Sequence, residues 1–326
     1  MIPAVSAATG GGAGLGYRWV GVGDGGNLWT CDDATATTWT QRTSSFGGTS
    51  INGVASNGIN LYVAVGDSGK LATSPDGVTW TQQTSSFGTS NITGIAYGNG
   101  VWIASGQTGK LATSTDGTTW TQRTTGTTDY LYKCAYGNGV YAAGGANGRL
   151  ISTTTPTSTW TSRTSTITGN ITFLTYAPFA SIWVAGCDTG TTGALASSPD
   201  ATTWTARTSS VNLTSGGFNS DSSNTIICVT TGGNATGAVQ LISTTDGISY
   251  TNRTLATGTG NNSRAVAADI NGTFICLADN ATAGYWGTNY STNGTTWTAG
   301  TVVAATAGLG TFARAICHSA GTYSSR

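Results

Sequence analysis

A seven-residue turn, Ser-x-Asp-Gly-x-x-Trp or a degenerate copy of it, recurs along the whole chain, each time followed by a Thr-rich strand. The copies end at Trp39, Trp80, Trp120, Trp160, Trp204, Tyr250 and Trp297, at spacings of 41, 40, 40, 44, 46 and 47 residues. No other feature restricts the fold as strongly. A period near 40 with one aromatic turn per unit is the pattern of a radial array of four-stranded sheets. The expected fold is all-β: a single seven-bladed β-propeller of four-stranded antiparallel blades.

The third repeat shows the plan of one blade. Ile92 to Tyr97 reads as the innermost strand and Asn99-Gly100 as a two-residue hairpin turn, because both positions tolerate positive φ. Val101 to Ala104 is the second strand, Gly106 to Gly109 a turn, Lys110 to Ser114 the third strand, and the motif turn leads into an outer strand from Trp120. The chain starts out of phase with this plan. Arg18 to Val22 matches a second strand, and the matching inner strand is Arg314 to His318 at the other end. The C-terminal strand is therefore expected to join the N-terminal blade, closing the ring and leaving no open sheet edge. Residues 1–16 read as a Gly/Ala-rich N-terminal arm and 17–326 as the propeller.

Composition narrows the function. Charged residues are 8% of the chain, Lys plus Arg and Asp plus Glu number 13 each, and all the acids are Asp. Zero net charge gives no electrostatic reason to seek nucleic acid, whose binding depends on phosphate neutralisation. No apolar run approaches the ~20 residues of a membrane-spanning helix, and no membrane insertion is expected. The first 16 residues lack the basic start and apolar core of a secretory signal. Six cysteines show no CxxC spacing and there is one histidine, so no metal and no cofactor is expected. The cysteines read as buried thiols packing as small hydrophobes.

The turn motif resembles the Asp-box of sialidase-like (BNR) propellers, with one residue fewer between Asp and Trp. Good copies stand at Asp76, Asp116 and Asp246, with Asn293 in place of the acid in the seventh, and Ala201 in place of Gly after Asp200. The resemblance implies a structural box: Asp76, Asp116, Asp200, Asp246 and Asn293 cap their own turns, while Trp80, Trp120, Trp204, Tyr250 and Trp297 pack between sheets. The shortened, Thr-rich form, clearest at Ser114 to Thr121, is similar to propellers of bacteriophage virion proteins and bacterial surface proteins. That likeness implies a virion location and partners among other virion or surface proteins, with a host-surface glycan as a further ligand.

Catalysis is weakly supported by the residues. The resemblance to sialidases would require a Tyr activated by a Glu, and the chain has no Glu. Asp188 and Asp279 sit in segments expected to share one face, as a carboxylate pair for glycan cleavage would require, although Asp in Gly/Asn/Thr-rich loops usually forms turns. His318, the only imidazole, occupies the inner-strand position of Tyr97 and Tyr136 and reads as a packing residue. The expected function is a non-enzymatic structural or adhesion module, with a glycoside hydrolase using an Asp pair and an intracellular assembly factor as alternatives.

The candidate ligand site comes from departures from the repeat. The second-to-third connections lengthen around Cys187–Thr189, Gly232–Asn234 and Asp279–Trp286, and Arg264 and Arg314 replace Thr93 at the start of adjacent inner strands. Tyr285, Trp286, Arg264, Arg314, Asp188 and Asp279 are expected to form a polar, aromatic cradle for a sugar.

Overall fold

The computed structural model describes residues 19–33, 38–178, 180–188, 194–208, 213–218, 226–230, 238–259, 261–268, 273–280, 285–304 and 313–318. The strands group into four-stranded antiparallel sheets, each running from an inner to an outer strand. Blade 2 comprises Ile51–Ser56, Tyr62–Gly66, Leu71–Ser74 and Thr81–Gln83. Blade 3 comprises Ile92–Gly98, Val101–Gly106, Leu111–Ser114 and Thr121–Arg123. Blade 4 comprises Leu131–Gly137, Val140–Gly145, Leu150–Thr153 and Thr161–Arg163. Blade 5 runs from Asn170–Ala177 to Thr205–Thr208, blade 6 from Leu213–Phe218 to Thr251–Thr259, and blade 7 from Asn261–Ala268 to Thr298–Ala304.

The expected blade count needs correcting in one respect. Counted as units complete in one stretch of chain, the blades number six, not seven. The remaining four-stranded sheet, here blade 1, is a composite of both chain ends: Ala313–His318 lies inside Trp19–Gly23, Leu28–Cys31 and Thr40–Arg42. Its inter-terminal seam sets Trp19 opposite His318, Gly21 opposite Ile316 and Val22 opposite Ala315. Contacts between inner strands run in order through blades 2 to 7 to Ala313–His318 and back to Ile51–Ser56, closing the ring. Residues 1–16 lie outside the described residues.

Packing between sheets explains the aromatic period. Trp19, Tyr62, Trp102, Tyr141, Trp183 and Phe274 all lie in second strands and are at most 2% exposed. The motif aromatics wedge onto the preceding blade. Trp120 packs with Val63, Val65 and Phe87, Trp160 with Ile103 and Leu111, and Trp204 with Leu150 and Ile167. A fully buried tryptophan at such a junction removes enough apolar area to stabilise it by a few kcal/mol. Arg42, Arg123, Arg163, Arg207 and Arg253 each donate from Nε to a Thr or Ser hydroxyl on the third strand of their own blade at 2.7–2.9 Å. These arginines stitch the short outer strand down.

In blades 1 to 4 the second and third strands are joined by a single tight turn: Asp24–Gly26, Asp67–Gly69, Gln107–Gly109 and Ala146–Gly148. The last residue must be glycine. At Gly109, φ is +67° and a Cβ would lie 1.9 Å from the carbonyl oxygen of Thr127. These turns define one face of the ring.

Candidate functional site: the mouth of the central channel

Each inner strand carries a β-bulge near its start, at the repeat-equivalent place. Pairing skips one residue between Ile51 and Gly53, Ile92 and Gly94, Leu131 and Lys133, Ile171 and Phe173, Leu213 and Ser215, and Ser263 and Ala265. The seam of blade 1 skips one between Ala313 and Ala315. The skipped residues are Asn52, Thr93, Tyr132, Thr172, Thr214, Arg264 and Arg314. A bulge leaves its extra residue outside the ladder and re-aims its side chain. The result is a ring of unlike residues around the channel, at the end that carries the tight turns.

Where their side chains are described, several bulge residues clip one blade to the next. Arg314 donates to the carboxylate of Asp24 in its own blade and to Asn52 Oδ1 in blade 2. Asn52 Nδ2 donates to Asp67 Oδ1 at 2.8 Å and to the carbonyl of Ile92 in blade 3 at 2.9 Å. Thr93 Oγ1 donates to the carbonyl of Leu131 in blade 4 at 2.8 Å. In blade 4 the bulge residue is aromatic, and Tyr132 stacks on Tyr130 with centroids 4.5 Å apart and 14° between planes. Burial, with a smaller push from the Asp67 carboxylate, raises the Tyr130 phenol above its ordinary range.

The residue after the bulge is small in most blades: Gly53, Gly94, Ser215, Ala265 and Ala315. Space is short there. A Cβ on Gly53 would stand 3.1 Å from Ile95, and one on Gly94 would stand 3.0 Å from the Cys134 nitrogen, both in the following blade. Blade 4 has Lys133 at this position, and enclosure by protein is the main cause of its lowered pKa, with the Arg314 charge acting in the same direction.

The residues anticipated from sequence are distributed as follows. Arg264 and Arg314 occupy the same bulge position in adjacent blades, as does Thr93. Asp279, Tyr285 and Trp286 are not in a loop. Asp279 is the penultimate residue of a second strand and pairs with Trp286, Asn280 faces Tyr285, and only residues 281–284 lie between these strands. Asp188 ends a second strand, opposite Asn170 in blade 5. The side chains of Asp188, Arg264, Asp279, Tyr285 and Trp286 lie outside the described residues, as do residues 231–237 of the blade 6 connection. Lys133, Asn52 and Tyr132 were missed. The available signal was a lysine in a repeat position otherwise held mainly by glycine, alanine or serine.

The motif turns lie at the junction of third and outer strands and are self-contained. Asp116 Oδ1 accepts from the backbone nitrogens of Thr118 and Thr119 at 2.8 and 2.7 Å and from Ser114 Oγ at 2.9 Å. Trp120 Nε1 closes the turn on the Gly117 carbonyl at 2.9 Å. Asp76, Asp200, Asp246 and Asn293 make the same paired backbone contacts. The donated hydrogen bonds hold Asp116, Asp200 and Asp246 ionised well below the usual carboxylate range. In the first copy Cys31 takes the place of the serine, its Sγ 3.1 Å from Asp33 Oδ2, and burial pushes the thiol up to about 12. Cys31, Cys134, Cys187 and Cys276 are buried free thiols, and among the described residues no cluster of three His, Cys, Asp or Glu is placed to hold a metal.

No protein-family profile matches the chain, and no curated protein matches its sequence. Its architecture is shared by solved structures. YCF48 bound to D1 peptide superposes with a TM-score of 0.58 at 16% identity, over 87% of this chain and 83% of that one. YCF48 from Cyanidioschyzon merolae gives 0.55 at 16% identity, over 77% and 84%. A chain of the nidogen/laminin complex gives 0.56 at 11% identity, over 93% and 98%. Identities this low establish the fold alone. The chain is a β-propeller.

Proposed function

We propose that this propeller is a non-enzymatic binding module that engages a partner protein through its turn face, centred on the channel mouth. The observation that carries this reading is the bulge ring. On a scaffold that otherwise repeats its residues, one backbone position of the inner strands holds Asn52, Thr93, Tyr132, Thr172, Thr214, Arg264 and Arg314. Asn52, Thr93 and Arg314 also clip neighbouring blades, yet the position is not filled alike from blade to blade as the motif turns are. YCF48 bound to D1 peptide and the nidogen/laminin complex give the same architecture in contact with partners, which supports the reading by analogy of fold only.

The Asp-box resemblance of the Ser-x-Asp-Gly turns supports the finer reading, a phage virion or surface component whose partners are other proteins of the same particle, with a host glycan as a further ligand. The absence of Glu counts against a sialidase-type Tyr/Glu pair, and the raised Cys31 thiol counts against a thiolate nucleophile at that residue. The test is capture of particle proteins by the immobilised chain, compared with an Arg264→Ala, Tyr132→Ala double variant of unchanged thermal stability. Loss of a saturable partner in the variant is expected. Undiminished capture, or binding only to a polysaccharide array with dependence on Trp286, would move the site away from the mouth. Turnover of any polysaccharide would overturn the non-enzymatic reading.

A further inference from the structure

We propose that the groove between the outer parts of blades 3 and 4 is a binding site for a neutral saccharide chain. The inference goes beyond the partner-protein reading: the groove lies on the outer-strand side of the ring and does not depend on what the channel mouth binds.

The repeat is broken twice at this junction. Elsewhere each outer-to-inner connection is tied down by a hydroxyl and then plugged. Ser44, Ser85 and Thr125 donate to the carbonyls of Gly26, Gly69 and Gly109. Two residues after the hydroxyl residue, the connections of blades 1, 2 and 4 bury Phe46, Phe87 and Ile167, at most 3% exposed. In the blade 3 connection that position is the part-exposed Thr127, and no residue of 124–130 joins the core cluster of Leu111, Leu131 and Trp160. Protein interiors seldom leave such a gap unfilled. A cavity of about 650 Å³ opens there, with Thr127, Thr128, Asp129 and Arg149 in its lining.

The second break is the motif turn of blade 4. It is one residue longer between Thr153 and Trp160 than its counterpart between Ser114 and Trp120, and it has no Asp. Thr157, Ser158 and Thr159 of this turn line a cavity of about 440 Å³, which shares Gln122, Arg123, Thr124 and Gly126 with the first. The two form one groove along the junction, and each is as large as a small-molecule site.

The lining selects the ligand. Among the described residues Trp160 is its one large apolar side chain, and at 4% exposed it offers an apolar occupant little to cover. Arg149 is paired with Asp129 at 2.8 Å, and Lys110 directs its ammonium to the Phe87 carbonyl in the preceding junction. Arg123 is committed to neutral oxygens, donating to Thr113 Oγ1 at 2.7 Å and across the junction to the Thr157 carbonyl at 3.1 Å. No cluster of like charge calls for a polyanion. The groove offers hydroxyls instead. Those of Thr124, Thr128, Thr157, Ser158 and Thr159 are exposed and have no hydrogen-bond partner among the described residues. Each can both donate and accept. Set along a groove, they suit a ligand that carries a hydroxyl on successive carbons, and the threonine methyls meet the C–H faces of its rings.

Refilling the gap is the decisive experiment. Leu131 follows Trp120 at the spacing with which Ile171 follows Trp160, so Thr127→Ile copies the plug that Ile167 provides. The variant should be at least as stable as the parent in urea, since it buries an added apolar group. The probes are hexasaccharides of glucose, mannose, galactose and N-acetylglucosamine, with hexagalacturonate as the acidic comparison, read by titration calorimetry. At least one neutral probe is expected to bind the parent at millimolar concentration. Its affinity should fall about tenfold or more in Thr127→Ile and in a Thr124→Val, Thr159→Val double variant, which removes one hydroxyl from each blade. Should Thr127→Ile unfold, the double variant of exposed residues carries the test. If no neutral probe binds, if hexagalacturonate alone binds, or if binding survives in the folded variants, the proposal is overturned. Partner capture at the channel mouth should be unchanged in the double variant, so the two readings fail separately. Loss of capture there without saccharide binding would assign the groove to a protein and overturn the proposal.

Discussion

The motif turns and the bulge ring are both repeated once per blade, yet they use repetition in opposite ways. At the motif turns, backbone and side chains repeat together: Ser74, Ser114, Ser198 and Ser291 donate to Asp76, Asp116, Asp200 and Asn293 at 2.9–3.1 Å, in turns of one geometry. At the bulges the backbone repeats but the side chains do not, running from Thr to Tyr to Arg. A position that recurs in both respects serves each blade locally. A position that recurs only in backbone is a mounting point, free to carry whatever the whole ring needs.

The largest effect should come from the motif side of that contrast. Trp120→Ala removes a side chain 8% exposed from the junction of blades 2 and 3 and is expected to cost about 3–5 kcal/mol in urea unfolding. A comparable loss from Tyr132→Ala at the mouth would erase the distinction between the two regions. Next in size is the cap itself. Asp116→Ala forfeits bonds to two backbone nitrogens and should cost about 1–2 kcal/mol, in the range of a lost helix cap. Asp116→Asn should cost much less, because Asn293 already makes the same contacts. The carboxylates also predict the acid limb. Asp116, Asp200 and Asp246 have folded pKa values below 3.8, so their contribution is complete above about pH 4 and is lost as the pH falls toward the folded values. The pH dependence of the urea midpoint checks this, and Asp116→Asn should flatten part of it.

The same contrast explains what could be read from sequence. The motif turns and second-strand aromatics were legible because each answers a local demand, a cap or an inter-sheet wedge, with the same residue every 40 or so positions. Asn99-Gly100 was legible for the same reason, both residues having positive φ. The bulge ring was not. A bulge is a property of register between two strands, and residues as unlike as Thr93 and Tyr132 sit in it without a shared signature. Tyr285 and Trp286 were read as the end of a lengthened connection because they fall beyond the core pattern of the repeat, whereas the strands of blade 7 extend further and pair Trp286 with Asp279. Ser152 shows a quieter substitution. It donates to the Ala201 carbonyl at 3.0 Å, the acceptor that the motif tryptophan uses in blades 2 and 3, and Trp204 Nε1 is left without a partner among the described residues.

Smaller effects are expected at the mouth. Thr93→Val deletes the hydroxyl that reaches Leu131 in the next blade and should cost about 1 kcal/mol, leaving the Leu131 carbonyl short of a donor. Replacing Thr93 by the arginine found at the same bulge in blades 1 and 7 should be tolerated, since that backbone already mounts Arg264 and Arg314. Unfolding of Thr93→Arg well below the parent in urea would show that the ring is structural after all.

Lys133→Met gives the smallest effect, and it has the opposite sign. The folded pKa of Lys133 lies below its ordinary 10.5, so the unfolded chain binds the proton more tightly. Between those two values the unfolded state carries more protons, and the contribution of Lys133 to stability therefore rises with pH across that window. Below the folded value the enclosed ammonium is a constant cost. Methionine keeps the length of the stem and removes the charge. At neutral pH the variant should be as stable as the parent or slightly more so, by up to about 1 kcal/mol, and the rise in stability on the alkaline side should disappear. A clear loss of stability in Lys133→Met would mean that the ammonium is held by partners within the fold.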